Sequence, residues 1–277
     1  MGRISRGWQM TKMSLRVIRK DKEILIFPVL SGLFTILILA SFVAGVFFTN
    51  GLDTLENGGV NWVVYVLMFL FYLVSFFITI FFNAAIIGCA TIRMEGGNPT
   101  VSDGFRIAGK NVGKIFMWAL VAATVGMVIR AIQERLGLIG KIIMGAIGFA
   151  WTIVTYFVVP VLIYEGLGPW GSVKRSASIL KNTWGEALVG NLSMGLIFFL
   201  LALPGLFGLF IGVVAIITWG VWVGVAIIVA CFVYLLVLGI IGSAAKTILL
   251  AALYRYATTG KVSEEFQGFS FKRPFET

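Results

Sequence analysis

The sequence predicts an all-α fold: a polytopic membrane protein of about six transmembrane helices, arranged as three repeated hairpins that are each preceded by an amphipathic surface helix. Three observations carry this prediction. Of the 277 residues, 59% are hydrophobic and 12% are charged, whereas soluble domains carry about 25% charged residues. Several uncharged runs are long enough to cross a ~30 Å hydrocarbon core. A polar, basic stretch between such runs occurs twice.

The two copies of this stretch are RMEGGNPTVSDGFRIAGKNVGKI (residues 93–115) and YEGLGPWGSVKRSASILKNTWGE (residues 164–186). Each has Glu-Gly near its start, a Pro four residues after that Glu, and Lys-Asn shortly before a Gly. Apolar residues recur in both at i, i+4, i+7 and i+11, which predicts an amphipathic helix at the membrane surface. These residues are Val101, Phe105, Ala108 and Val112 in the first copy and Val173, Ala177, Leu180 and Trp184 in the second.

The chain begins with a basic segment, residues 1–23, that predicts a third and more degenerate surface helix. Its expected apolar side consists of Ile4, Trp8, Thr11, Leu15 and Ile18. Residues 24–48 are uncharged and predict the first span, with Pro28 in its first turn or at a kink. Residues 50–61 are rich in Gly and Asn and carry acids but no Lys or Arg, which is typical of an external loop.

The second uncharged run, residues 62–92, is longer than one crossing needs and predicts a tilted or projecting helix. One polar stripe follows this helix, and it either hydrogen-bonds to a neighbouring helix or lines a hydrated path. Its members are Tyr65, Tyr72, Ser75, Thr79 and Asn83.

The third span, residues 115–129, leads into Arg130 and Glu134, which are one helical turn apart and able to form an ion pair. We expect this pair at the outer rim of the bilayer, as a structural contact or as part of a functional site. A tight external turn, residues 137–141, leads to the fourth span, residues 142–164.

The last uncharged run, residues 187–245, predicts two crossings rather than three. A third crossing would place the basic tail outside, against the charge bias. Pro204-Gly205 is expected to kink the fifth segment or make it partly re-entrant. Lys246 closes the sixth span, either as a snorkelling interface residue or, if that helix sits higher, as an intramembrane cation.

The charge distribution predicts the orientation. Net charge is +10, and 19 of the 22 Lys and Arg lie in residues 1–23, 93–114, 165–186 and 246–277. Basic residues in alternate connections favour the cytoplasmic side. We therefore expect a cell-membrane protein with both termini in the cytoplasm and no nucleic-acid partner. The expected contacts to anionic lipid headgroups are Lys12, Arg16, Arg106, Lys110, Lys174, Arg175 and Lys181.

No polar linker divides the chain, so the sequence predicts one membrane domain, residues 1–277. Its repeat units are about 1–94, 95–164 and 165–260, and a short cytoplasmic tail covers 261–277.

Two stretches resemble known membrane-protein families. In VVPVLIYEGLGPWGSVKRSASILKNTWGEALVGN, residues 158–191, an apolar span ends in Pro, and an acidic residue, Gly and a Lys-Arg-Ser surface helix follow. This stretch resembles uncharacterised families of prokaryotic polytopic membrane proteins, and it is similar to the membrane domain fused to some bacterial glycerophosphodiester phosphodiesterases. The N-terminal GWQMTKMSLRVIRKDKEILIFPVLSG, residues 7–32, resembles one such family of unknown function. The resemblance implies a cell-membrane location and about six helices, and no activity.

The residues do not favour an enzyme. The chain has no His and no Walker, HExxH or GxSxG motif, and it has no intramembrane pair of carboxylates. We therefore assign no catalytic, cofactor-binding or metal-binding residue, and we expect no cofactor.

Two functions stay open. The first is an oligomeric conduit: a channel, transporter or lipid-handling protein for anionic or amphiphilic solutes. The second is a non-catalytic scaffold or assembly factor that binds anionic lipid or a protein partner. The candidate residues for a polar path or for helix packing are Tyr72, Ser75, Thr79, Asn83, Arg130, Glu134 and Lys246. Glycines at 137, 140, 145 and 148 and at 205, 208 and 212 permit close helix contact, which favours a homo-oligomer.

Overall fold

The computed structural model describes residues 3–48 and 62–260, apart from the side chains of residues 3–7, 64 and 182–191. The predicted external loop, residues 50–61, and the predicted tail, residues 261–277, lie outside the described residues. The helices are α1 Arg3–Lys20, α2 Ile26–Phe48, α3 Trp62–Met94, α4 Val101–Lys110, α5 Val112–Arg135, α6 Leu138–Val154, α7 Val158–Tyr164, α8 Pro169–Thr218 and α9 Val221–Thr259, with a 3-10 helix, Lys22–Leu25, before α2.

Six helical segments of the described chain are long and apolar enough to cross a membrane, which confirms the predicted number. They are Lys22–Phe48, Tyr65–Met94, Val112–Arg135, Leu138–Tyr164, Leu192–Thr218 and Val221–Thr259. The uncharged run at 187–245 makes two of these segments, as predicted. The turn between them is at Gly220, which has φ +105°. Trp219 and Trp222 on either side are 69% and 87% exposed, as expected of aromatic residues at an interface.

Two prolines lie at helix starts and a third lies inside a helix. Pro28 lies in the first turn of α2 and Pro169 is the first residue of α8, where a missing N–H removes no helical hydrogen bond. Pro204 lies inside α8, which continues past it. The fifth segment is therefore not re-entrant, and the kink expected at Pro204 stays a prediction.

The predicted fourth span is present as Leu138–Tyr164, but its helix is interrupted. α6 ends at Val154 and α7 begins at Val158, so three residues interrupt the crossing. Pro160 supplies the physical reason. Proline has no N–H to donate to the carbonyl four residues earlier, and its ring clashes with that carbonyl. Here that carbonyl belongs to Tyr156, within the interruption.

The second copy of the repeated stretch does not form a separate surface helix, which corrects the prediction. α8 starts at Pro169 and runs through this copy into the fifth span without a break. In the first copy, by contrast, α4 ends at Lys110 and α5 begins at Val112, with Asn111 between them.

The described chain divides into two compact units. One contains Met1–Leu25, Ala90–Pro99 and Asn182–Thr277, and the other contains Ile26–Cys89 and Thr100–Lys181. This division does not test the predicted single domain with three repeat units, which stays a prediction.

In the first unit, α8 and α9 form an antiparallel pair packed through glycines. A Cβ placed on Gly208 would lie 2.3 Å from Cys231 Sγ, and one on Gly212 would lie 3.2 Å from the Gly224 carbonyl. The 205–212 glycines are thus used for contact within the chain. α1 packs against α9, whose buried part lies near its C-terminal end, from Ala244 to Tyr254.

In the second unit, α2 pairs with α3 and α5 pairs with α6, and both pairs are antiparallel. Ring centroids of Phe42 and Phe71 are 4.9 Å apart, and those of Phe34 and Phe82 are 6.0 Å apart. The α3 segment of this unit is most deeply buried from Ala84 to Cys89.

The buried faces of the helices overlap the predicted stripes only in part. α4 buries Gly104 and Ala108, while Phe105 and Val112 are 37% and 45% exposed. α8 buries Ser172, Ser176, Ile179 and Leu180, and Trp184 lies among the side chains that are not described. α1 buries Met10, Ser14 and Val17 in addition to Thr11 and Ile18, while Trp8 is 45% exposed. The predicted stripes were chosen by their apolar residues. In a membrane, apolar side chains can face lipid, so the residues that face the protein are often small or hydrogen-bonding ones.

Candidate functional site

A polar cluster joins α3, α5 and the start of α6. Arg130 donates from Nε to Glu134 Oε1 at 3.0 Å and from Nη1 to the hydroxyl of Tyr72. Gln133 Nε2 lies 3.5 Å from the carbonyl oxygen of Lys141. The ion pair that the spacing of Arg130 and Glu134 predicts is therefore present. Tyr72, from the predicted polar stripe, joins it.

An apolar cavity of about 420 Å³ lies between α3, α5 and α6. Phe76 lines it from α3, and Trp118 and Trp151 line it as a stacked pair with ring centroids 6.1 Å apart. Thr152 and Thr155 also line it, but their hydroxyls donate to carbonyls of their own helix at 2.9 and 2.8 Å. The wall that this cavity offers a ligand is therefore essentially apolar.

A second cavity of about 530 Å³ adjoins the first. The residues that line it are Arg130, Gln133, Glu134 and Lys141, together with Gly126 and Ile129. Gly126 and Ile129 line both cavities, so the two adjoin, one with an apolar lining and the other with a polar lining. The polar end is cationic overall, since Arg130 and Lys141 outnumber the single carboxylate of Glu134. We call the two cavities together the two-part site.

Gly126 lies at the junction of the two cavities. A Cβ placed there would have Phe76 Cε2 as its nearest neighbour, at 3.9 Å, which is ordinary van der Waals contact. A side chain at Gly126 would thus begin in the two-part site with a Cβ that meets no close contact.

The helix interruption lies at the other end of the apolar cavity, since Thr155 both lines the cavity and follows the last residue of α6. The hydroxyl of Ser176, on α8, joins the two sides of the interruption. It accepts a hydrogen bond from the N–H of Phe157 at 2.9 Å and donates one to the carbonyl of Val154 at 2.6 Å. Ser176 is fully buried. It satisfies backbone groups that would otherwise be costly to bury in an apolar region.

The second copy of the repeat is held by its own ion pair. Arg175 Nε lies 3.0 and 2.9 Å from the two carboxylate oxygens of Glu165. Gly166, the next residue, has φ +70°, and a Cβ there would lie 3.3 Å from Lys114 Nζ. Arg175 is therefore engaged by a carboxylate and is a weaker candidate for a lipid headgroup than its neighbours.

The first copy is organised by a capping box at the start of α4. Thr100 Oγ1 accepts from the Asp103 N–H at 3.2 Å, and the Thr100 N–H donates to Asp103 Oδ2 at 3.0 Å. The Thr100 hydroxyl and N–H, both donating to the carboxylate, lower the pKa of Asp103 from its ordinary value, and Arg106 adds to this effect. Arg106 forms an ion pair with Asp103, so this predicted headgroup contact is also engaged within the chain.

A buried ion pair in the first unit was not found by sequence reasoning. Arg93 donates to both carboxylate oxygens of Asp21 and to the side-chain carbonyl of Asn98. The Asp21 and Arg93 side chains are 5% and 17% exposed. The only feature of the sequence that could have indicated this ion pair is the position of Asp21, an acid within a strongly basic segment. These contacts tie the end of α1 to the end of α3 within that unit.

The other predicted polar residues lie apart from the two-part site. Thr79 donates to the carbonyl of Ser75 at 2.9 Å on its own helix. The Ser75 hydroxyl is buried and has no hydrogen-bond partner among the described residues. Neither these two residues nor Asn83 lines the two cavities. Lys246 belongs to the other unit and is exposed.

The predicted headgroup contacts other than Arg106 and Arg175 are exposed side chains. Lys12 lies over the ring of Trp8, 5.2 Å from its centroid. The exposed residues are Lys12, Arg16, Lys110, Lys174 and Lys181. Their contact with anionic lipid headgroups stays a prediction.

Six apolar helical segments of crossing length define a multi-pass membrane protein. The chain belongs to a family of unknown function, DUF6159, whose model matches residues 62–264. This confirms the expectation of a family of unknown function. The similarity to membrane domains of glycerophosphodiester phosphodiesterases stays a prediction. No curated protein matches the chain.

Proposed function

We propose that this protein is a lipid-handling membrane protein that binds an anionic amphiphile in the two-part site. One observation carries the proposal: an apolar cavity of about 420 Å³ adjoins a polar cavity that Arg130 and Lys141 line. An amphiphile has the same division. Its chain is best placed among apolar side chains, and its charged head among cations that remain accessible to solvent.

The proposal includes an orientation. Three hairpins enter the cell membrane from the cytoplasmic side, with both chain ends in the cytoplasm, and Arg130 and Lys141 face the opposite side. The clustering of Lys and Arg in alternate connections supports this arrangement. The antiparallel contacts in the α2/α3, α5/α6 and α8/α9 pairs also support it.

We propose that the protein is not an enzyme and that it handles lipids and does not conduct ions. The supporting feature is the character of the cavity wall, where Phe76, Trp118 and Trp151 offer an ion no ligand comparable to water. We also propose a homo-oligomer. The glycines at 205–212 are used within the chain, so its support comes from the α6 glycines, of which Gly145 has open space around it.

A retention experiment tests the function. Protein purified through several detergent exchanges should keep an amphiphile that native mass spectrometry detects, and Gly126→Leu should lose it because the new side chain fills the junction. Gly113→Leu is the matched control, since Gly113 lies on α5 like Gly126, has nothing within 4 Å and lines neither cavity. Equal retention by wild type and Gly126→Leu, or no retention by wild type, would contradict the proposal.

The runner-up function is a scaffold that holds anionic lipid on its basic surface, which the exposed Lys110, Lys174 and Lys181 favour. The same experiment separates the two. A scaffold predicts that retained anionic lipid is lost when these three lysines are changed to Gln and is unaffected by Gly126→Leu. Arg175 is left intact, because it pairs with Glu165.

A further inference from the structure

The length of the apolar cavity limits which amphiphile it fits. On α5 its lining runs from Trp118 to Ile129. That distance is about 16 Å at ~1.5 Å rise per residue. The hydrocarbon core of a bilayer is ~30 Å thick, so the cavity extends over the depth of one leaflet. The interruption after Val154 lies at its far end, where Thr155 lines it.

The volume of the cavity indicates a single chain. At about 420 Å³, it lies toward the small end of the ~300–1,000 Å³ range of pockets that hold one small ligand. Two acyl chains side by side over one leaflet's depth would need a wider space between α3, α5 and α6. The stacked Trp118 and Trp151 occupy the far end of that space.

The charges at the near end indicate the head. A guanidinium has five N–H donors, and the contacts of Arg130 to Glu134 and Tyr72 use two of them in the described portion of the chain. Lys141 adds an exposed ammonium that lines the same cavity. Hydrogen bonds from cations to anionic oxygens are about twice as strong as neutral ones. A carboxylate or phosphate oxygen is therefore the chemistry that this end recognises.

From these three features we infer the ligand class: a single-chain anionic amphiphile of the outer leaflet, with its head at Arg130 and Lys141 and its chain ending near Trp118 and Trp151. The inference rests on the proposed function and narrows it. It excludes two-chain phospholipids as the preferred ligand, and it excludes uncharged single-chain alcohols.

Tryptophan quenching in zwitterionic liposomes tests the inference. The probes are a long-chain carboxylic acid brominated near its tail, the alcohol with the same brominated chain, and a two-chain anionic phospholipid brominated at the same depth. Subtracting the signal of the Trp118→Phe, Trp151→Phe variant isolates the two cavity tryptophans. The acid should reach the same quenching of these tryptophans at a concentration at least about tenfold lower than the alcohol. A difference of ~1.4 kcal/mol in binding free energy, from hydrogen bonds to a charged head, corresponds to this tenfold ratio.

The variant Arg130→Gln, Lys141→Gln should remove most of that difference, since both cations are lost while the apolar cavity is unchanged. Arg135→Gln is the control, because Arg135 is exposed on the same helix and does not line either cavity. Equal quenching by acid and alcohol, or no effect of the double variant, would overturn the assignment of the head.

The two-chain probe distinguishes failure of this inference from failure of the proposed function. If the two-chain lipid quenches these tryptophans as well as the acid does, and Gly126→Leu abolishes its quenching, the single-chain inference is overturned while lipid handling stands. If no brominated probe quenches these tryptophans more than random collisions in the bilayer would, the proposed function and the single-chain inference are both contradicted.

Discussion

The two copies of the repeated stretch begin alike but pack against different partners. Each starts with a glycine at positive φ, Gly96 at +86° and Gly166 at +70°. When Val101 is aligned with Val173, Gly104 of the first copy corresponds to Ser176 of the second. Gly104 faces the unbroken α3 and Phe27, where a Cβ would lie 2.4 Å from Phe27 Cζ and 2.9 Å from Cys89 Sγ. Ser176 faces the interruption between α6 and α7.

This difference shows how one helical pattern serves two purposes. Against a continuous helix, the best residue is the one with no side chain, because the backbones and rings can then come close. Against an interrupted helix, the best residue is a small hydroxyl, because it fills the opening and satisfies one N–H and one carbonyl. The interruption ends α6 at the two-part site, so the serine copy is the one associated with the candidate function.

The largest effect is expected at the glycine of the first copy. Gly104→Ala should destabilise the protein by about 1–3 kcal/mol, since the added methyl overpacks a site whose neighbours cannot move easily. Phe27 is fully buried and packs edge-on against Phe105 at 5.4 Å. Denaturation in detergent measures the change.

Gly109→Ala on the same helix is the control. It has nothing within 4 Å and should be neutral or stabilising by up to ~1 kcal/mol. Equal effects of the two substitutions would mean that close packing does not distinguish the first copy.

A comparable or smaller effect is expected at the serine of the second copy. Ser176→Ala removes both hydrogen bonds across the interruption and should cost about 1–3 kcal/mol, because the Phe157 N–H and Val154 carbonyl lose their partner in a buried place. Ser178→Ala, at an exposed position of the same helix, should change stability by less than ~0.5 kcal/mol. Faster amide exchange at Phe157 in Ser176→Ala alone would locate the effect, and unchanged exchange there would contradict the proposed bridge.

The smallest effect is expected from the capping box of the first copy. The pKa of Asp103 is lowered in the folded protein, so its contribution to stability is fully present above the unfolded pKa of ~3.9 and is lost as pH falls through the lower folded value. Asp103→Asn should remove this contribution to the acid dependence of the melting temperature. The second copy has no matching acid, since Arg175 is the residue two after Val173. An unchanged acid profile in Asp103→Asn would show that Asp103 does not contribute.

Sequence patterns predicted correctly those features that depend on residues close together in the chain. The Arg130–Glu134 pair follows from helical spacing, and the two crossings within residues 187–245 follow from the length of that run. The Ser176 bridge could not be found in this way, because its partners Val154 and Phe157 lie about twenty residues earlier. The cavity between α3, α5 and α6 likewise depends on residues from three separate spans.

The sequence by itself determined the number of crossings, because the thickness of a bilayer sets how long an apolar run must be. Tertiary structure alone decided which face of each helix is buried and that Ser176 of α8 bridges the interruption in the fourth span. The physical reason is that lipid and protein interior are both apolar, so an apolar side chain does not reveal which of them it faces. Within the membrane, the positions of glycines, serines and cations relative to neighbouring helices carry that information.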